Sequence, residues 1–343
     1  MLPLLSHCAH TQPPPEFNER EDRGVVANDV INEASGLAVS RIQPGVLWTH
    51  NDSGDTTRIF AVGKSGENLG EFYLEGVGAR DWEDIAVGPG PVEGQSYIYV
   101  GEIGDNGAVY DTKQIYRFAE PLVSRNGNPV EATVTNVETI TYRYPDGPRD
   151  AEALFVDPLT RDIYVVSKRE ESVRIYRAAY PQSTSETITL EHVGTLDSLT
   201  LITAGDISID GKEILLKNYL AVYYWHREPD ETVAEAMKRK PVILPYTPEP
   251  QGEAIAWEPD GSGYWTVSEE FQEIPARLWF YSRKMTSTIE EIEGSLYEKS
   301  RLDLSLVYLG ETGLRIGDWE NAFLRPKSKI INPKSEQIAS YSL

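Results

Sequence analysis

The sequence predicts an all-β fold, a five-bladed β-propeller whose ring is closed by an N-terminal strand, and three observations carry that prediction. First, a short word that opens a strand occurs five times: Glu33-Ala-Ser-Gly-Leu-Ala38, Asp81-Trp-Glu-Asp-Ile-Ala86, Asp150-Ala-Glu-Ala-Leu-Phe155, Thr203-Ala-Gly-Asp-Ile-Ser208 and Gln251-Gly-Glu-Ala-Ile-Ala256. Aligned, the copies put Ser35, Glu83, Glu152, Gly205 and Glu253 in one register, at spacings of 48, 69, 53 and 48 residues. Repeats of that length suit a four-stranded propeller blade. Second, every copy is followed by further short runs rich in aromatic and β-branched residues, separated by turn residues. Third, the last copy lacks a fourth strand, while residues 24–28 form a strand with no partner ahead of the first copy. Pairing the two removes both exposed edges.

Taken in order, the second and third strands of blade one are expected at 46–50 and 58–62, and those of blade two at 97–100 and 114–118. Blade three follows with 162–166 and 173–176, blade four with 213–217 and 221–225, blade five with 263–267 and 277–281. Asp210-Gly211 and Pro259-Asp-Gly261 supply turns. Residues 229–240, with Glu-Thr-Val-Ala-Glu-Ala-Met, read as a short helix inside blade four. The domain division is a tether at 1–23, the propeller at 24–285 and an appendage at 286–343, partly strand and ending in a polar, basic tail. Asp318-Trp-Glu-Asn-Ala-Phe323 echoes the second copy, but too little chain follows it for a sixth blade.

The 54 acidic and 32 basic side chains leave a formal charge of −22, which repels nucleic acid and favours cations. A single cysteine, Cys8, allows no intrachain disulfide and no cysteine-based zinc site. The histidines show no metal-binding spacing, and no apolar run is long enough to span a membrane. The opening residues resemble the end of a secretion signal followed by a Pro-rich tether, so the expected setting is secreted or periplasmic, with Cys8 a candidate lipid attachment point. A monomer is expected.

In a propeller the first strand of each blade lines the central channel, so one sequence register becomes one ring. Because side chains alternate with period two, Glu33, Asp81, Asp150, Thr203 and Gln251 are expected to form a second ring above the first. Three converging glutamates must take up protons, partner a cation or keep water. Alternatively the acids face a water-filled channel and bond to amides of adjacent blades. Carboxylates, carbonyls and a hydroxyl are hard oxygen donors that suit Ca²⁺ over zinc, making Ser35, Glu83, Glu152, Gly205 and Glu253 the candidate ligands.

On these residues the chain resembles the calcium-activated nucleotidases, or apyrases, across roughly residues 33–283. That family holds a central Ca²⁺ with a Ser, Glu, Glu, Ser, Glu series, one residue per blade. Thr49-His-Asn-Asp-Ser-Gly54 is similar to its Asp-Asp-Arg-Thr-Gly, and Tyr99-Val-Gly-Glu-Ile-Gly104 to its Tyr-Val-Gly-Ser-Ile-Gly. Ser167-Lys-Arg169 and Val267-Ser-Glu-Glu270 stand where it has Pro-Arg-Arg and Lys-Ser-Glu-Glu. The departures are Gly205 for a serine, Asn51 for an acid, and Lys168 for an arginine expected to meet phosphate. The words at 51–54, 81–86 and 104–106 also resemble a group of uncharacterised secreted bacterial propellers.

The loops after the second strands carry Asn51, Asp52, Glu102, Asp105, Asn106, Lys168, Arg169, Lys217, Glu269 and Glu270. With a cation in the channel, such a face orients a phosphoanhydride or phosphoester. Asp52 or Glu102 is then the base, Lys168 and Arg169 hold the anion, and Asn51, Asp105, Asn106, Lys217 and Glu269 contact the substrate. Two other readings stay open: a calcium-stabilised module that binds a small anionic or carbohydrate ligand without catalysis, and a glycoside hydrolase using Asp81 with Glu83 or Glu152.

Overall fold

The structure, a computed structural model, describes residues 13–124, 127–272 and 274–284. The chain divides after Lys284, and the expectations for the tail at 1–12 and the appendage at 286–343 lie outside the described residues.

The described chain is nearly all strand. β1 (Glu21–Val25) comes first, followed by blade one, β2 (Ala34–Val39), β3 (Val46–Asn51), β4 (Arg58–Gly63) and β5 (Asn68–Leu74). Blade two contains β6 (Trp82–Pro89), β7 (Ser96–Glu102) and β8 (Lys113–Ala119), then β9 (Val130–Val134) and β10 (Glu138–Arg143). Blade three is β11 (Ala151–Val156), β12 (Ile163–Ser167) and β13 (Val173–Ala178), with β14 (Ile188–Thr189) before β15 (Glu191–Leu196). Blade four is β16 (Ile202–Ile207), β17 (Glu213–Asn218), β18 (Val222–His226) and β19 (Val242–Leu244). Blade five has β20 (Gly252–Trp257), β21 (Gly263–Ser268) and β22 (Arg277–Ser282).

β1 pairs antiparallel with β22 and supplies the fourth strand of blade five, so the ring closes as the sequence predicts. The closing strand lies three residues earlier than expected. After Val25 the chain turns inward to bury Val26 and Ile31. Two further strands were not foreseen. β9 runs parallel to the outer edge of β5, and β14 parallel to that of β10. Each belongs to the link between the third and fourth strands of one blade and covers the edge of the blade before it, protecting backbone groups that would otherwise template association. The short helix α1 (Val233–Ala236) falls inside the predicted segment, opened by a capping box between Thr232 and Glu235.

The apolar side chains form five slabs, one between each pair of neighbouring blades. Trp48, Phe72, Trp82 and Tyr116 fill the slab between blades one and two, and Phe60, Trp265 and Phe280 that between five and one. Strands bury both faces in this arrangement, which is why the inner ones read as continuous apolar runs broken only by the residues that face the axis. Where β2 meets β6 there is no room for a side chain. A Cβ on Gly36 would lie 2.7 Å from the Ile85 nitrogen and 2.9 Å from the Asp84 Cα, both backbone atoms. Gly36→Ala is therefore expected to destabilise the fold by about 2–3 kcal/mol, read as a lowered thermal midpoint.

Candidate cation site at the channel mouth

Each inner strand carries a β-bulge against its second strand, at the same place in all five blades. The unpaired residues are Ser35, Glu83, Glu152, Thr203 and Glu253. A bulge re-aims a side chain relative to the regular pleat, and here it marks the ring at the start of the channel. The fourth member is Thr203, not Gly205. In blade four the sequence alignment was two residues out of register, because the acidic pattern Gly-Asp-Ile was matched to Glu-Asp-Ile while Thr-Ala was taken as the residues before it. Gly205 pairs with Leu216 inside the sheet, and a side chain there would meet Leu216 and Phe155. Thr203 accordingly leaves the expected second ring.

The carboxylates gather in three overlapping groups, in which Glu83 and Glu152 meet each other while Glu253 meets Asp52 and Glu269. Oxygen atoms of Asp52, Asp81 and Glu83 lie within 4.8 Å of one another, as do those of Glu83, Asp150 and Glu152, and those of Asp52, Glu253 and Glu269. Sharing Asp52 and Glu83, the three groups join into one arc that runs through blades five, one, two and three. Backbone bonds fix the outer members: Asp52, Lys168 and Glu269 each donate an N–H to the carbonyl two residues before their blade's bulge, Glu33, Asp150 and Gln251 respectively. Gly104 does the same to Asp81 in blade two, and a Cβ on it would run into the carboxylates of Asp81 and Glu83. Glycine there leaves the space those carboxylates use.

The electrostatics follow from crowding and burial. Desolvation, then the neighbouring Glu152, Asp52 and Asp81, hold the Glu83 carboxyl well above the usual range. Burial raises Glu152 to about 8 against the pull of Lys168. Glu269 is raised to about 8 by burial and by Glu253, and Asp52 to about 6 by burial. Lys168 lies on this arc, its ammonium bonded to Glu152 Oε1 and 3.2 Å from the Tyr219 hydroxyl. That hydroxyl donates to Glu253 Oε1 at 2.5 Å. Arg169 pairs with Asp150 at 2.5 Å.

Several residues assigned to substrate or catalysis have structural partners instead. Glu102 is buried and accepts the N–H groups of Arg80 and Asp81 at 2.8 and 3.0 Å, so its oxygens hold the start of β6 and are not placed as a base. Asp105 accepts the N–H groups of Val109 and Tyr110 and the ammonium of buried Lys113, shaping its own loop. Asn51 bridges Val30, Glu33 and Asp55. Lys217 is wholly buried, bonded to the carbonyls of Gly252 and Asn218. Asn106 is exposed. Tyr219 was missed; its signal was position, since it directly follows the second strand, as Asp52, Lys168 and Glu269 do.

Deeper in the channel a residue unremarked in the sequence joins the blades. Asp84, fully buried, accepts at Oδ2 from the N–H groups of Leu154 in β11 and Gly205 in β16, 2.9 and 3.2 Å away. Asp206 likewise accepts from Trp257 in β20 at 2.7 Å. Ser35 donates its hydroxyl to the Glu83 carbonyl at 2.7 Å, an engagement that ties blade one to blade two. Arg41 and Asp206 also line a shallow surface recess with Val39, Val87 and Trp257.

Comparison with family models and with curated proteins gives no match. Among solved structures, a chain in the crystal structure of mitotic checkpoint complex is similar, with a TM-score of 0.35 and 14% identity over 72% of this chain. The similarity spans 61% of that chain, less than two thirds of its length, and at this score it carries no argument. The fold rests on the five sheets described above. Among the described residues, no helix is long and apolar enough to cross a membrane.

Proposed function

We propose that the channel mouth binds a divalent cation, Ca²⁺, held by Glu83, Glu152 and Glu253 with Asp52 and Asp81. The observation that carries this reading is a chain of three overlapping carboxylate groups, Asp52 with Glu253 and Glu269, Asp52 with Asp81 and Glu83, and Glu83 with Asp150 and Glu152, the oxygens within each group lying within 4.8 Å of one another. Two oxygens that share one Ca²⁺ at about 2.3–2.6 Å lie at most about 5 Å apart, so each of these groups suits the ion in chemistry and in spacing. Ca²⁺ bound there supplies neutralising charge and polarises a phosphoryl oxygen. Such an acidic site fills where free Ca²⁺ is abundant, and we place the protein in a secreted or periplasmic setting.

The same arc also carries two cations, Lys168 on Glu152 and Arg169 on Asp150, able to pair an anionic ligand. This supports a Ca²⁺-dependent hydrolase of phosphoanhydride or phosphoester bonds over a purely stabilising ion. Titration calorimetry with Ca²⁺ tests the first step. Glu83→Gln and Gly104→Ala are each expected to weaken binding at least tenfold, and wild-type protein that takes up no Ca²⁺ overturns the reading. Phosphate release from a panel of nucleoside di- and triphosphates, with Ca²⁺ and with chelator, tests the second. Ca²⁺ binding without turnover of any member assigns the protein as a calcium-stabilised binding module.

A further inference from the structure

We propose that Lys168 is the internal occupant of the cation site: its ammonium sits among the carboxylates of the metal-free protein and is displaced when a divalent cation binds. This rests on the metal-binding reading above. The residue is only 6% exposed, yet its backbone is anchored at the rim, its N–H donating to Asp150 and its carbonyl accepting from Leu201 at 2.7 Å. From there the side chain turns inward, not outward to solvent. Its ammonium reaches Glu152 and Tyr219, and Tyr219 passes the contact on to Glu253. One positive group thereby serves two of the three bulge glutamates, from blades three and five.

Charge and geometry make the two occupants exclusive. Glu152 cannot give the same oxygen both to an ammonium at hydrogen-bond distance and to a metal without bringing two cations into repulsive contact. The backbone anchors do not depend on the side chain, so the lysine can leave without unfolding its loop, and its long, flexible stem permits a change of rotamer. Once out, the amine stands at the mouth beside Arg169, able to pair an anionic ligand that the seated lysine cannot reach. Lys168 thus lowers the affinity for the metal and links metal occupancy to anion binding. Arg169 differs, because its side chain is 46% exposed where it pairs with Asp150, so it stays at the solvent side of the arc.

The test has two readouts. Calorimetric Ca²⁺ affinity is expected to rise at least tenfold in Lys168→Met and in Lys168→Gln, each checked for a cooperative melt. Amine acetylation followed by peptide mass mapping is expected to leave Lys168 unmodified in chelator and to label it in excess Ca²⁺. Lys113 and Lys217, more deeply buried still, serve as internal references that stay protected in both conditions. Unchanged or weaker Ca²⁺ binding in both variants, or Lys168 labelling that ignores Ca²⁺, overturns the proposal while leaving the metal site standing. Absence of Ca²⁺ binding in wild type and variants alike overturns both.

Discussion

Asp84→Ala is expected to lower the stability of the propeller by about 3–5 kcal/mol, among the largest effects available to a single polar residue in this chain. The reason is topological. The first strand of each blade is an edge strand, and its outward backbone groups face the channel, not another strand. In blades three and four the channel-facing N–H groups of Leu154 and Gly205 both find their acceptor on one carboxylate from blade two. Truncating it strands two buried donors at about 1–3 kcal/mol each and removes the direct link between three blades. Asp84→Asn is expected to cost less, since its amide oxygen can take the place of Oδ2 and keep both cross-blade bonds while the amide nitrogen loses only the Ile85 N–H. A thermal midpoint lowered by about 10 °C corresponds to the loss in Asp84→Ala in a chain of this size, and a change under 2 °C would refute the bridging role.

Asp84 also shows where sequence reasoning stopped. The repeats were legible because a bulge demands the same local pattern in each blade, and a ring of five makes that pattern recur. The ring's closure was legible from an unmatched strand at one end and a missing strand at the other. Within the repeat, however, Asp84 follows Glu83 directly, so period-two reasoning turned it away from the channel. The bulge breaks that alternation. The same break hid Thr203: without coordinates, nothing in residues 203–208 tells which of two residues is the unpaired one. The mouth residues Asp52, Lys168 and Glu269 were identified by their place after the second strand, and Tyr219 shares that place. Glu102, Asp105, Asn51 and Lys217 look the same in sequence, but local backbone N–H and carbonyl groups claim them. Whether a charged residue near a channel is free to act depends on nearby turns, which composition does not report. The straps β9 and β14 escaped notice because parallel pairing between sequence-distant segments leaves no local signature.

The metal-free protein is expected to be more stable near pH 5.5 than at pH 8, and saturating Ca²⁺ is expected to reverse that order. The groups that face the mouth are Asp52, Asp81, Glu83, Asp150, Glu152, Glu253 and Glu269, against Lys168, Arg169 and Arg80 as fixed positive charges and Tyr219 as a neutral donor. Burial and mutual repulsion raise Asp52 to about 6 and Glu152 and Glu269 to about 8, with Asp81 and Glu83 also raised. A carboxyl whose folded pKa exceeds its unfolded value binds more protons in the native state. Its favourable contribution is therefore complete below the unfolded pKa, near 4, and disappears as the pH climbs through the folded one. Carboxylates shifted the other way by ion pairs, such as Asp55 beside Arg58 and Asp146 beside Arg149, lose their contribution only below about 4; buried Asp84, Asp206 and Glu249 are raised as well and buried His50 and Lys217 lowered, so the mouth's share is the part of the pH dependence that Ca²⁺ removes. Ca²⁺ replaces those protons. It should bind at least tenfold more tightly at pH 8 than at pH 6, releasing protons that calorimetry in buffers of different ionisation enthalpy counts directly. At about a thousandfold excess over its Kd it should add about 4 kcal/mol to the folded state. Melting curves at the two pH values, in chelator and in Ca²⁺, decide the matter: parallel curves that ignore both pH and metal would mean that the arc carries its charge without strain and has no need of a cation.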